Sequence, residues 1–206
     1  MAQTNSFLNK IYDTDAGKPM RDAYDQWANQ YEADITQHQY RTPTRIAEAL
    51  ARHLDDKNAP ILDFACGTGL SGVALREAGF TSIDGVDLSE KMLSQASKKG
   101  VYSSLTPCEA DAPFAAASEQ YRAIVAVGAI GAGAAPLKCL SLAIDHLTSG
   151  AIFCVSLNDH TLEDPRYEAV IADEVANGSI EVLESQYGEH LPEINLGARV
   201  YVIRKR

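Results

Sequence analysis

Between residues 60 and 157 the chain repeats one pattern: a short apolar run, a turn, then an amphipathic stretch closed by glycine. The apolar runs are "PILDFA", "TSIDGVDL", "VYSSLTPCEA", "YRAIVAVGAI" and "AIFCVSL". The stretches between them include "SGVALREAG", "SEKMLSQASKKG" and "PLKCLSLAIDHLTSG". A helix between two strands carries the chain back across the sheet, so such strands pair in parallel. Runs without polar alternation are strands covered on both faces. The pattern predicts an α/β fold: a doubly wound, mostly parallel Rossmann-like sheet. After residue 178 the pattern changes. "SIEVLESQY" and "ARVYVIRKR" read as strands joined by "GEHLPEINLG", with no helix between them. They are expected to form a C-terminal antiparallel hairpin at the edge of the sheet.

Two segments precede the alternation. "MRDAYDQWANQYEADI", opened by Pro19, sets Tyr24, Trp27 and Tyr31 on one helical face. "TPTRIAEALARHL" reads as a second helix, with Thr42 or Thr44 as its cap. Residues 1–18 are polar and are expected to be irregular or weakly helical.

The bulk numbers narrow the function. A length of 206 residues suits one domain. The net charge of −10 repels a duplex nucleic acid or an anionic membrane, so neither is expected as a partner. "RKR" at 204–206 is the dense basic run, and it reads as a solvated end. The four cysteines form no CxxC pair and no paired histidines accompany them, so no metal site is expected. Cys139 and Cys154 lie in apolar runs and read as buried thiols. The first residues lack an apolar signal region and no run nears 18 apolar residues, which gives a cytoplasmic expectation.

The first strand runs into "ILDFACGTGLSG", residues 61–72. Gly67-x-Gly69-x-x-Gly72 is the spacing of the dinucleotide fingerprint. Asp63 argues against a dinucleotide. A carboxylate beside the turn would repel a pyrophosphate, and it suits a cationic ligand. S-adenosylmethionine is cationic, with a sulfonium and an ammonium and no phosphate. Asp87, at the end of the second strand, can accept both hydroxyls of a ribose, a feature common to either cofactor. Asp111 in "EADA" can accept from an adenine amino group while the next N–H donates to the ring; the plain alternative is a helix cap before "PFAAAS".

"ILDFACGTG", "IDGVDLSEKML", "CEADAPF" and "AIVAVGAI" together resemble the successive motifs of class I S-adenosylmethionine-dependent methyltransferases. "YDQWANQYEADI", "YRTP" and "ARVYVIRKR" further resemble the methyltransferase-like group typified by the Williams-Beuren syndrome region protein. The resemblance implies residue roles by matching position. Asp63 and the Gly67–Gly69 turn would hold the methionine end, with backbone from Phe64 and Ala65 near the carboxyl group. Asp87 would hold the ribose, Leu88 and Met92 would pack on adenine, and Asp111 and Ala112 would read its edge. Val127 and Gly128 would lie beside the methionine chain. Tyr24 and Tyr31 match aromatics of a lid over the cofactor, though the same ring pattern also serves ordinary helix packing. The division expected is a helical lid segment over 1–41 and a methyltransferase domain over 42–206.

One departure matters for catalysis. Members of the group often carry polar residues after the fourth strand, and here that loop reads "GAIGAGAAP". A general base would have to come from elsewhere, and the candidates are His38, Tyr40 and His160. Arg41 could pair a substrate carboxylate, or be a surface charge. The expected function is methyl transfer from S-adenosylmethionine to a small-molecule acceptor by direct displacement, leaving S-adenosylhomocysteine. The alternatives are a non-catalytic S-adenosylmethionine binder acting through a partner, a methyltransferase acting on a protein side chain, and an NAD-dependent oxidoreductase.

Overall fold

The computed structural model describes residues 18–110, 112, 114 and 121–206. The expectations for residues 1–17 and for Asp111 lie outside the described residues.

Helix α1 spans Lys18–Trp27 and α2 spans Tyr31–Gln37. The sequence pattern suggests one helix across this region. The chain instead turns at 28–30, where the Gln30 N–H donates to the Trp27 carbonyl only three residues back. That turn lets Trp27 bury its ring and donate Nε1–H to Asp34 of α2 at 2.7 Å. Helix α3, Thr42–His53, carries proline in its first turn but has no side-chain cap. Thr42 is not the expected cap; its hydroxyl faces His190 instead.

The sheet then builds as the alternation predicts. Its elements are β1 (Ile61–Phe64), α4 (Leu70–Glu77), β2 (Ile83–Asp87), α5 (Glu90–Ser97), β3 (Ser104–Pro107), β4 (Ala123–Ala126), α6 (Lys138–His146) and β5 (Ile152–Asn158). A short α7 (Asp159–Leu162) and α8 (Arg166–Ala176) follow. The chain ends with β6 (Ile180–Leu191), a 3-10 turn over Pro192–Ile194, and β7 (Leu196–Lys205).

The strand order is β3-β2-β1-β4-β5-β7-β6. β1 pairs in parallel with β2 and β4, β4 with β5, and β2 with β3. β7 is antiparallel to both β5 and β6. The C-terminal hairpin is therefore present, but its second strand lies inside the sheet and β6 is the edge. Both strands also run further than their sequence suggests, through "GEHL" and "LG" of the expected connector.

Two apolar cores cover the sheet. Phe64, Ile124 and Phe153 point to the face packed by α6 and α8. Ile61, Val125 and Cys154 point to the face packed by α3 and α4. Cys139 and Cys154 are buried, as their apolar surroundings require. A third cluster joins Met20, Trp27 and Ile35 of the N-terminal helices to Leu191 and Leu196 at the tip of the β6–β7 hairpin. Among the described residues no helix is long and apolar enough to cross a membrane.

Candidate functional site

The order of strands reverses at β1 and β4, and ligands of such sheets sit outside the carboxyl ends there. A cavity of about 290 Å³ opens at that place. Its floor is the turn after β1. Ala65 and Gly67 adopt φ of 53° and 56°, and Gly69 adopts 92°. Left-handed backbone suits glycine and strains alanine by roughly 1 kcal/mol, so Ala65 marks a turn held by its surroundings. Phe64, Ala65, Gly67, Thr68 and Ser71 all line the cavity. Gly69 does not; it begins α4.

Asp63 is fully buried beneath this floor. Its Oδ2 accepts from the Ser71 hydroxyl at 2.6 Å and the Tyr102 hydroxyl at 2.7 Å. Its Oδ1 has no hydrogen-bond partner among the described residues. Burial, helped by the nearby Asp87 charge, pushes its pKa up to about 7. Gly72 makes the arrangement possible: a Cβ there would stand 2.3 Å from the Tyr102 ring, and its N–H donates to the Tyr102 hydroxyl at 3.1 Å. Ser71, Tyr102 and the reason for Gly72 were not apparent from the spacing of the fingerprint. Tyr102 lies on the loop before β3, and only the assembled sheet brings it to β1.

Asp87 ends β2 and lines the cavity. Oδ2 accepts the Gly67 N–H at 2.8 Å and Oδ1 accepts the Ser89 N–H at 2.9 Å. Each oxygen keeps a lone pair for a ligand. Burial lifts this carboxyl to about 6 against the pull of those backbone donors. Leu88 and Met92 add apolar wall, Met92 fixed by the Ser89 cap of α5. Cys108 and Ala110 close that end, whereas Ala112 is exposed and does not line the cavity. Thr68 brings a second polar atom with no partner among the described residues, its buried Oγ1.

The far end is formed by Val127 and Gly128 after β4, with Tyr24, Tyr31 and Tyr40 from above. A Cβ on Gly128 would meet the Tyr40 hydroxyl at 2.6 Å, and the φ of 62° there also favours glycine. Gly128 donates its N–H to Ser156 at 2.8 Å, and Ala132 donates to Thr161 at 3.2 Å. The loop without polar side chains is thus pinned through its backbone. Tyr24 adds a clamp from α1, donating to the Gly133 carbonyl at 3.0 Å.

Of the candidate bases, Tyr40 lines the cavity, while His38 and His160 line none of the cavities described here. Arg41 is exposed and donates to Gln39. His190 was missed. It is buried on the wall beside Tyr40, edge-on to that ring with centroids 5.1 Å apart. It stood in a segment that reads as a connector, and no local signal marked it.

The donor set fits S-adenosylmethionine: Asp87 lone pairs for ribose hydroxyls and an apolar slot for adenine line the cavity, and beneath its floor the unpartnered Asp63 oxygen supplies negative charge toward an ammonium. Known proteins point the same way. Residues 61–150 match the family model described as "Methyltransferase domain". The chain is 36% identical over 137 residues to human methyltransferase-like protein 27, covering 65% of this chain and 55% of that protein. The chain therefore spans little more than half the length of that relative. Among solved structures it resembles the ribosomal protein L11 methylase of Lactobacillus delbrueckii subsp. bulgaricus, with a TM-score of 0.56, 17% identity and 79% of each chain covered. It also resembles the N-terminal domain of EvdMO1, crystallised in the presence of SAH and D-fucose, with a TM-score of 0.54, 17% identity, and 81% and 84% of the two chains covered. The fold is the Rossmann-like methyltransferase fold, with a seven-stranded sheet and a C-terminal antiparallel hairpin. The family model and the relative are both described as methyltransferases, and the fold agrees with them.

Proposed function

We propose that the chain is an S-adenosylmethionine-dependent methyltransferase acting on a small-molecule acceptor. The observation that carries this is the pair of carboxylates near the ends of β1 and β2: Asp87 lines the cavity, and Asp63 lies beneath its floor with a buried unpartnered oxygen. Negative charge on Asp63 beneath the floor disfavours a pyrophosphate on the turn, which speaks against the NAD reading. The likeness to methyltransferase-like protein 27 and the N-terminal motifs support the finer placement in the group typified by the Williams-Beuren syndrome region protein. A small acceptor outside nucleic acid is supported by the net charge of −10.

In this reading Asp63 faces the ammonium, and the turn at Phe64, Ala65, Gly67 and Gly69 holds the methionine end. Asp87 takes the ribose. Leu88 and Met92 flank the adenine, whose edge Asp111 is proposed to meet; Ala112, exposed and outside the cavity lining, does not take that role. Val127 and Gly128 run beside the methionine chain. Residues 1–41 serve as the lid, Tyr24 and Tyr31 forming its roof, over a domain of 42–206. The cofactor supplies a methyl group already activated by its sulfonium. The protein's task is alignment and exclusion of water, which can contribute on the order of 7–11 kcal/mol.

The test is thermal unfolding with ligand. S-adenosylhomocysteine at about 100 times its dissociation constant stabilises a binding protein by about 2.7 kcal/mol. For a chain of this length that is a rise of about 5–10 °C in Tm. NAD should give no rise. Asp87→Ala removes the acceptor for two ribose hydroxyls, each bond to a charged group being worth about 1.5–3 kcal/mol, and should weaken binding at least about tenfold by calorimetry. A Tm that responds to NAD and ignores S-adenosylhomocysteine would refute the reading.

A further inference from the structure

A second, smaller cavity of about 50 Å³ adjoins the first and shares Tyr24, Tyr31, Tyr40, Gly128 and Ala134 with it. The larger cavity suits the larger reactant, so the smaller is left for the other. Its remaining walls are mostly apolar, with Trp27, Ile35 and Leu191 among them. Its polar side chains beyond the tyrosines are Asn158, at the end of β5, and His190.

His190 is aimed there by a specific device. Along the β6–β7 ladder, Glu189 pairs with Gly197 and Leu191 with Leu196. His190 is the extra residue of a bulge, and a bulge re-aims a side chain that regular pleating would send elsewhere. The ring stops beside Gly128: a Cβ there would be 3.9 Å from His190 Cε1. Nδ1 is 2.7 Å from the Thr42 hydroxyl. Nε2 makes no hydrogen bond among the described residues, and it is not sealed off among the buried unpartnered atoms.

We infer that this cavity is the acceptor site, that His190 Nε2 takes the proton of the acceptor, and that the acceptor is a small planar hydroxyl compound of the phenol type. The inference rests on the methyltransferase reading above. Four aromatic side chains favour a flat ligand, and an imidazole lone pair favours one that must lose a proton. Thiolates and neutral amines need no such help. With the Nδ1 proton donated to Thr42, Nε2 presents its lone pair. As the acceptor oxygen bonds to the methyl carbon, the carbon–sulfur electron pair leaves on sulfur and the hydroxyl proton passes to Nε2. The imidazolium then returns the proton to water. A hydroxyl and a sulfonium thus become a methyl ether, a thioether and one proton.

The charge setting agrees. Burial is the main force holding the imidazole near pKa 4, so it enters the reaction unprotonated. Arg45 from α3 and His160 from α7 act in the same direction, Asp159 opposes them, and Tyr40 faces the ring edge. The oxygen turns strongly acidic only as it gains the methyl group, so a weak base suffices.

The test uses the full chain loaded with S-adenosylhomocysteine, with phenol as the probe. Nitrogen-15 NMR should show His190 protonated on Nδ1, and added phenol should shift its Nε2 and Cε1–H signals saturably. Thr42→Val should remove the tautomer preference and the phenol response while leaving S-adenosylhomocysteine affinity within about twofold. His190→Gln should also keep that affinity yet slow methyl transfer from labelled S-adenosylmethionine to phenol by about 10²-fold or more. The inference fails if S-adenosylhomocysteine binds but phenol leaves the His190 signals unmoved. It fails equally if the wild type makes no methyl phenyl ether, or if His190→Gln makes it at full rate. Absence of S-adenosylhomocysteine binding would instead refute the cofactor reading, and this inference with it.

Discussion

Burial lifts the Asp63 carboxyl from its usual 3.8 to about 7, although Ser71 and Tyr102 both donate to it. Between those values the folded protein binds a proton that the unfolded chain has released. The contribution of this carboxyl to the stability of the free protein therefore falls as pH rises from about 4 to 7, then levels off, while His190, held near 4, contributes with the opposite sign up to about 6.5. Asp87, lifted to about 6, adds a loss of the same sign as Asp63 over a narrower window. Asp63→Asn keeps an oxygen for the two hydroxyl donors and removes the buried charge. It should raise the melting midpoint at pH 8, by at most about 4 kcal/mol in stability terms, and flatten the pH dependence. In the proposed binding mode the cofactor ammonium reverses the shift. Binding S-adenosylhomocysteine at pH 6.5 should release protons, seen as a calorimetric enthalpy that changes with buffer. The Asn variant should bind more weakly and release fewer. A parent protein whose binding is buffer-independent would place the ammonium away from Asp63. The sequence showed Asp63 and Asp87 because strand and turn are local. It could not show that Asp63 lies beneath the floor, since that depends on Tyr102 arriving from the loop before β3.

The N-terminal helices dock on the sheet through two kinds of contact. Met20, Trp27 and Ile35 are buried. Around them Arg21 pairs with Glu109 at 2.9 Å, Lys99 with Glu32 at 2.8 Å, and Gln95 donates to Asn29 at 2.9 Å. Such partly exposed pairs contribute about 0–1 kcal/mol each, so the helices are held chiefly by their buried apolar side chains. A ligand beneath Tyr24 and Tyr31 would add contact to both helices. Hydrogen exchange over residues 20–35 should slow at least about tenfold when S-adenosylhomocysteine is added. Equal protection with and without ligand would make the segment a fixed layer of the core and end the lid proposal. The face shared by Tyr24, Trp27 and Tyr31 was visible from their spacing. The break at 28–30 was not, because nothing in "ANQ" forbids a helix and burial of Trp27 decides it. His190 was invisible for a related reason: a bulge leaves no mark on sequence, and "GEHL" looks like a connector until β7 pairs with it.

At the scale of the molecule, alternation alone revealed the parallel sheet, because each helix forces the direction of the next strand. It also revealed the hairpin. It did not reveal that β7 enters between β5 and β6, since both insertions satisfy the same pattern and only the ladder with β5, seven residue pairs from Ile152–Arg204 to Asn158–Ala198, selects one. That wedge has a consequence for synthesis. The ribosome makes β7 after every other strand, so until residue 196 emerges β5 keeps an open edge and β6 has no neighbour. The bulge that turns His190 inward exists only as a mismatch with β7, so the imidazole has no fixed direction before then. A nascent chain stalled with residues 1–195 outside the tunnel should hold β1–β5 loosely and be cut by protease, while one stalled beyond 206 should resist. The proposed role of His190 therefore waits on the pairing of β7.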